Sequence, residues 1–364
     1  MLHEMVTGFL RPDGPYLYVR LVTASYAISA VGRLLPVRVK QVPGYRRKVP
    51  AGVWYGGTLV LALVLATCVY LVPRNEQPAR APAAAAAPVH PVRPGLHLGV
   101  FEPGETVSYR PVEQFATAVG RNPDIVLYYS GWREPFLTQF STTVYRHGAE
   151  PFVQIEPDHI GIARIAHGYF DTYLRAYAAQ VRAYRHPVIL SFAPEPNGPW
   201  YSWGWTHTSP ATWVAAWRHV VDVFNSAGVT NVTWLWTVNV EFTRSGPLQL
   251  YWPGSSYVNW VGIDGYYVHR HDTFASVFGS TLGLVRKITS KPTLLSETAI
   301  GPTAGQVRCL PGLFAGIRRN HLLGLVWFDL TQHHGTYHED WRLEHNPAAV
   351  TVFRREVRNF GRPR

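Results

Sequence analysis

The chain has 364 residues, too many for one small domain and enough for one large one with extensions. Hydrophobic residues make up 47% and charged residues 16%, which excludes a disordered chain, and two cysteines exclude both a disulfide scaffold and a cysteine-rich zinc module. The net charge of +11 sits mostly at one end: residues 1–95 hold 11 Lys and Arg against 3 Asp and Glu, residues 96–364 hold 23 against 20, and the larger part therefore carries no nucleic-acid footprint.

Residues 1–51 form a basic N-terminal segment. Within it, 16–36 (YLYVRLVTASYAISAVGRLLP) are apolar but interrupted by Arg20 and Arg33, the pattern of an interfacial amphipathic helix. Residues 52–72 (GVWYGGTLVLALVLATCVYLV) carry no charge, and at about 1.5 Å of rise per residue such a helix spans roughly 30 Å, the hydrocarbon thickness of a bilayer. Trp54, Tyr55 and Tyr70 lie near its two ends, where amphipathic rings favour the interface. Arg38, Lys40, Arg46, Arg47 and Lys48 precede it; only Arg74 and Arg80 follow closely. The positive-inside rule then predicts a single-pass protein of the cell membrane, with a cytoplasmic N-terminus and an extracytoplasmic C-terminal domain. Residues 73–95 hold six prolines and the run Ala83 to Ala87, a semi-extended Pro/Ala-rich linker.

From residue 96 the sequence alternates short β-type runs with amphipathic segments. The runs are Leu96–Phe101, Asp124–Ser130, Pro151–Glu156, Pro187–Ala193, Val232–Asn239, Trp260–Tyr266, Pro292–Thr298 and Gly324–Leu330. Each is rich in Val, Ile, Leu and aromatics without strict alternation, as strands buried on both faces of a parallel sheet read. Helical spacing appears at Tyr169–Tyr184, Ser209–Gly228, Thr273–Thr289, Gln306–Asn320 and Asn346–Phe360, while Glu241–Tyr257 reads as a long loop. Eight strands with interposed helices predict an α/β (β/α)₈ TIM barrel over 96–364, preceded by one transmembrane helix and the linker. An open doubly wound sheet is the alternative, but no Gly-rich phosphate loop follows any run.

A barrel of this kind does its chemistry at the C-terminal ends of its strands. The fourth run ends in Ala193-Pro194-Glu195-Pro196-Asn197-Gly198-Pro199-Trp200, and the seventh in Ser296-Glu297-Thr298. Those two ends face each other across the barrel mouth, so Glu195 and Glu297 can meet over one ligand. Paired carboxylates are what glycoside hydrolysis requires, one as a protonated acid and one as an ionised nucleophile. Tyr266, at the end of the sixth run, is placed to donate a hydrogen bond to one of them. Pyranose rings stack on aromatic faces, which makes Trp132, Trp200, Trp203 and Trp327 candidate substrate-binding residues; Asn197 and Glu156 are candidates for sugar hydroxyls. Of Trp234 and Trp236, which share a strand face, at least one is expected in the core. His269, His271, His333, His334 and His338 fall in the loops after the sixth and eighth runs with no recognised ligand spacing, and no metal site is assigned to them. Cys309 reads as a small buried residue on a helix.

The segments PEPNGPWYSWGW (194–205), WVGIDGYY (260–267), SET (296–298) and DWRLEHNPAAVTVFR (340–354) resemble glycoside hydrolase family 26. Its best-known members are endo-β-1,4-mannanases; others cleave mixed-linkage β-glucans or β-1,3-xylan. The resemblance covers essentially all of 96–364 and implies a retaining double displacement without metal or organic cofactor. Glu195 falls on the family's acid/base, Glu297 on its nucleophile, and Tyr266 on the tyrosine that hydrogen-bonds the nucleophile. One position departs: family mannanases usually carry His immediately before the acid/base, where this chain has Pro194. The expected activity is therefore that of a membrane-anchored endo-β-glycosidase acting on a mannan- or glucan-type polysaccharide. The alternative is a non-hydrolytic or transglycosylating glycan-binding partner of a membrane polysaccharide synthase.

Overall fold

The structure, a computed structural model, describes residues 96–332 and 338–359. The basic segment 1–51, the apolar run 52–72, the linker 73–95 and the loop histidines His333 and His334 lie outside the described residues. Among the described residues, no helix is long and apolar enough to cross a membrane.

Eight strands follow the sequence closely: β1 (His97–Phe101), β2 (Ile125–Gly131), β3 (Glu150–Glu156), β4 (Val188–Phe192), β5 (Val232–Asn239), β6 (Trp260–Tyr267), β7 (Thr293–Ile300) and β8 (Gly324–Phe328). Each pairs in parallel with the next, and β8 pairs with β1 from His97↔Gly324 to Phe101↔Phe328, closing a barrel. Closure brings two backbones very close at the start of β8. A Cβ at Gly324 would run into the backbone of His97, and only glycine fits there.

The outer helices are α1 (Arg110–Val119), α2 (Thr138–Arg146), α3 (Ile162–Ala166), α4 (Asp171–Tyr184), α5 (Pro210–Ser226), α6 (Phe274–Ile288), α7 (Gln306–Arg319) and α8 (Pro347–Arg358). Their starts are written locally. Ser209 accepts from the Thr212 amide and precedes Pro210; Thr273 and Ser276 form a reciprocal capping box; Asn346 accepts from the Ala349 amide and precedes Pro347. No α-helix joins β5 to β6. Gly246, Pro247, Pro253 and Gly254 break that stretch into loops around a single 3₁₀ turn, Leu248–Tyr251, as its sequence predicts. Cys309 is buried on α7, its thiol against the Ala304 carbonyl.

The apolar core fills the layer between sheet and helices, with Trp213, Trp217, Phe224 and Trp234 packed as one aromatic block behind β4 and β5. Trp234 and Trp236 are both buried. Inside the barrel, toward the C-terminal ends of its strands, the lining turns polar. Ser191 donates to Thr237, Ser296 to Asp264 and Gln154 to Glu297. A parallel sheet buried on both faces normally carries apolar side chains, so this polar belt marks where the barrel departs from packing toward chemistry.

Candidate active site

The segment after β4 is held in an unusual backbone path. Ala193 and Glu195 both have left-handed φ, 45° and 52°, although neither is glycine. Such residues cost on the order of 1–3 kcal/mol each and persist only where the surroundings over-determine them. Here they are over-determined. The Glu195 amide donates to the Thr237 carbonyl at 3.0 Å, the Trp213 indole to the Ala193 carbonyl at 3.1 Å, and the Trp203 indole to the Pro194 carbonyl at 2.7 Å. Asn197 clips the loop to β5, donating to the Asn239 carbonyl and accepting from the Asn239 amide. This frame places the Glu195 carboxyl, 3% exposed, where Trp200 Nε1 donates to Oε2 at 2.7 Å and Asn239 Nδ2 donates to Oε1 at 2.6 Å. Gly198 makes room for that tryptophan, since a Cβ there would run into its ring.

Glu297 is set by a different device. Strand β7 holds one extra residue between Leu294 and Glu297 relative to β6, and one extra between Leu295 and Thr298 relative to β8. Both irregularities bracket Ser296. A bulge at this point re-aims the next side chain. The Glu297 carboxyl, 3% exposed, then receives three donors from three other strands: Tyr129 on Oε1, Gln154 Nε2 on Oε1 at 2.8 Å, and Tyr266 on Oε2 at 2.6 Å. The Tyr266 ring is itself fixed, stacked on Trp341 with centroids 4.5 Å apart.

Between the two glutamates lies Asp264, fully buried, with Oδ1 accepting from Ser296 at 2.5 Å. Its Oδ2 receives no N–H or O–H donor among the described residues, and its carboxyl interacts with that of Glu195. Burial, with Glu297 and Glu195 nearby, raises Asp264 well above the usual carboxylate range and favours its protonated form. Burial also raises Glu195, opposed by its Asn239 and Trp200 bonds. Glu297 is pushed up to about 8 by burial and by Glu195, opposed by its three donors. Glu156, at the end of β3, is likewise raised to about 8 by burial and by Glu297, while the Tyr201 hydroxyl opposes the shift. Four carboxyls thus share one water-poor mouth and cannot all ionise; losing each proton makes the next harder to lose.

The structure sorts the residues expected from sequence. Glu195, Glu297 and Tyr266 come together. Trp200 is half-buried and holds Glu195, with Phe242 stacked beside it at 5.6 Å. Trp132 is half-buried at the end of β2 against Phe170, Tyr173 and Phe192. Three expectations need correcting. Trp203 is fully buried, stacked on Tyr201 and committed to the Pro194 carbonyl, so its face meets no sugar. Trp327 is fully buried, its indole shared between Asp329 and the Trp341 carbonyl. Asn197 is fully buried, and both ends of its amide are used on β5. Sequence reasoning missed Tyr129, Gln154, Asn239 and Trp341. Gln154 had a signal: it is the one polar residue inside the apolar run PFVQIE. Tyr129 had none beyond its place one residue before a strand end. Among the described residues, no group of three or more His, Cys, Asp or Glu side chains is arranged to hold a metal ion.

The model of glycosyl hydrolase family 26 matches residues 166–356, over half of the chain. Endoglucanase H of Acetivibrio thermocellus is 29% identical over 280 residues, a match that covers 72% of this chain and 30% of that protein. The chain therefore corresponds to less than a third of that relative's length. Among solved structures, the catalytic domain of the GH26 endo-β-1,4-mannanase of Bacillus sp. JAMB-750 superposes with a TM-score of 0.57 at 17% identity, covering 72% of this chain and 86% of that one. A GH26 β-mannanase from Bacteroides ovatus gives 0.57 at 16% identity, covering 73% and 89%. At such identities the superpositions speak for the barrel fold.

Proposed function

Because the chain belongs to glycosyl hydrolase family 26, we propose that it cleaves a β-linked mannan or glucan backbone internally, by a retaining double displacement with Glu195 as acid/base and Glu297 as nucleophile. The observation that carries this reading is the pair of buried carboxyls after β4 and on β7, one of them caged by three neutral donors.

Glu297, as a carboxylate, attacks the anomeric carbon while Glu195 delivers its proton to the departing glycosidic oxygen. The C–O bond breaks, an ester links the sugar to Glu297, and one chain end leaves. Glu195, now ionised, takes a proton from water, whose oxygen attacks the same carbon and frees Glu297. Tyr129, Gln154 and Tyr266 hold the nucleophile in one orientation and favour its ionised form. Asp264 keeps its own proton and steadies Glu195 through it. Trp200 and Asn239 fix the two Glu195 oxygens between the acid and base steps.

The substrate reading draws on the relatives, one named an endoglucanase and others titled mannanases. Pro194, where family mannanases usually have His, leaves the mannan-against-glucan choice to measurement. The uncharged run 52–72 motivates a further part of the proposal: the barrel is tethered to the outer face of the cell membrane, with the N-terminus cytoplasmic. Fusion of a reporter active only outside the cytoplasm to the C-terminus tests that topology; no reporter activity, with the fusion intact, refutes it. For the activity, the 364-residue chain is incubated with β-mannan, mixed-linkage β-glucan and β-1,3-xylan beside a Glu297→Ala control. New reducing ends on one polymer, absent in the control, support the reading; equal release by both proteins sinks it.

A further inference from the structure

A second cavity lies outside this mouth, on the connections that follow β1 and β2, and shares no residue with the candidate active site. Its volume is about 450 Å³, enough for one or two sugar rings. The wall is built from Glu105, Ser108 and Tyr109 on one side and from Thr138, Gln139 and Thr143 of α2 on the other. Phe136 and Phe140 contribute its apolar part, and Val107, 91% exposed, stands at the rim.

Two features make the cavity a site in want of a ligand. The first is the start of α2. Its N-cap residue is Leu137, which supplies no side-chain cap, and the amides of Gln139 and Phe140 have no hydrogen-bond partner among the described residues. Such N–H groups want an acceptor. The second is Glu105. Only 4% exposed, it receives no hydrogen bond from any other described residue; its carboxyl meets its own backbone amide alone. Burial raises it to about 8, so at neutral pH it is an acid with an O–H to donate.

These two needs select the ligand. A phosphate or carboxylate would satisfy the helix start, but the wall carries no Lys or Arg to balance its charge. A cation would suit an ionised Glu105 but would meet the positive end of α2. A neutral alcohol satisfies both, accepting from the amides and from the acid while donating to the Thr138 hydroxyl and the Gln139 amide oxygen. Tyr109 is half-buried with one ring face stacked on His147, and its edge and the exposed side chain of Val107 offer the apolar contact that the C–H face of a pyranose needs. We propose that this cavity is a second glycan-binding site, which takes one or two residues of a neutral polysaccharide chain away from the point of cleavage. It rests on the reading above that the substrate is a neutral β-glycan. A site of this kind raises the effective concentration of the polymer at the mouth without touching the chemistry.

The test is titration calorimetry of mannotetraose and cellotetraose into the 364-residue chain carrying Glu297→Ala, so that no ligand is consumed. Two binding events are expected for one of the sugars. Adding Thr143→Trp, which fills the cavity from the face of α2, is expected to remove one event and leave the other. Adding Glu105→Gln instead, which keeps the shape, is expected to weaken the same event about tenfold. A single event that neither change affects overturns the proposal, as does uptake of neither sugar. Hydrolysis is scored separately on the parent chain, so a chain that cuts no glycan counts against the earlier reading, while a cutting chain with one unaltered binding event counts against this one.

Discussion

Besides Asp264 and Glu156, the barrel mouth holds two pairs of buried carboxyls, and they are arranged for opposite ends. On one side, Glu195 follows β4 and Glu297 stands on β7. On the other, Glu102 and Asp329 follow β1 and β8, the pair of strands that closes the barrel. Burial is similar: Glu102 is 9% exposed and Asp329 2%. The difference lies in where the hydrogen bonds go. Asp329 spends its Oδ1 on the Trp327 indole and the Leu343 amide, and its carboxyl also meets those of Glu344 and Glu102. Glu102 is pushed up to about 11 by burial and by Asp329, and it stays protonated at any ordinary pH. That pair ties the ends of β1 and β8 to the segment carrying Trp341. Glu297 instead collects three neutral donors from three strands, an arrangement that stabilises a charge and leaves the carboxyl aimed at the mouth. A buried acid pair is therefore no signature of catalysis by itself; the distribution of donors between its members is.

Substitutions should separate the pairs, beginning with the largest effect. Glu297→Ala is expected to lower kcat by roughly 10⁴-fold or more in a chain that still folds, read from reducing-end release and calorimetry. Tyr129→Phe removes one donor to a developing transition state and is expected to cost roughly 10²-fold in kcat with KM little changed. Asp329→Ala should do the reverse. It strands the Trp327 and Leu343 donors, costs about 2–3 kcal/mol and lowers the midpoint by several degrees, with kcat within about twofold of the parent. If Asp329→Ala proves as inactive as Glu297→Ala while folded, the contrast between the pairs is wrong.

Acidity sharpens the same contrast. Burial raises both members of the pair, Glu297 to about 8, and turnover, which needs Glu297 ionised and Glu195 protonated, is expected to fall at high pH once the Glu195 proton is lost as well. Stability should slope the same way for another reason. Glu105 and Glu156 are raised from 4.5 to about 8 by burial, so between these values the folded chain holds protons that the unfolded chain has lost. Their contribution is fully present below about 4.5 and is lost as pH rises through about 8. The thermal midpoint is therefore expected to drop between pH 5 and pH 9, and a midpoint that climbs over that range would show that these carboxyls are ionised in the fold.

Much of this was legible from residues alone, and the reasons are physical. The strands could be read because apolar runs buried on both faces leave a continuous signal, and all eight lie within two residues of their expected bounds. Glu195 and Glu297 could be read because a charged residue ending such a run is costly without a use. The tryptophans misled, because a ring that follows a strand looks the same in sequence whether it faces a sugar or folds back. Trp203 folds back because its indole finds the Pro194 carbonyl, and Trp327 because Asp329 waits two residues on. Tyr129 and Gln154 were invisible as a pair because they act on a carboxyl 168 and 143 residues away, a relation that only the closed barrel creates. The bulge at Ser296 was equally hidden, since one extra residue in a strand leaves no mark on composition.

The most direct test of the central claim, that Glu297 is the nucleophile of a double displacement, is to trap its ester. The 364-residue chain is incubated with a 2-deoxy-2-fluoro-β-glycoside of the responsive backbone sugar, bearing a good leaving group, and the peptides are mapped by mass spectrometry. The account predicts one sugar on the peptide that contains Glu297, and none in Glu297→Ala. A label on another carboxyl would contradict it.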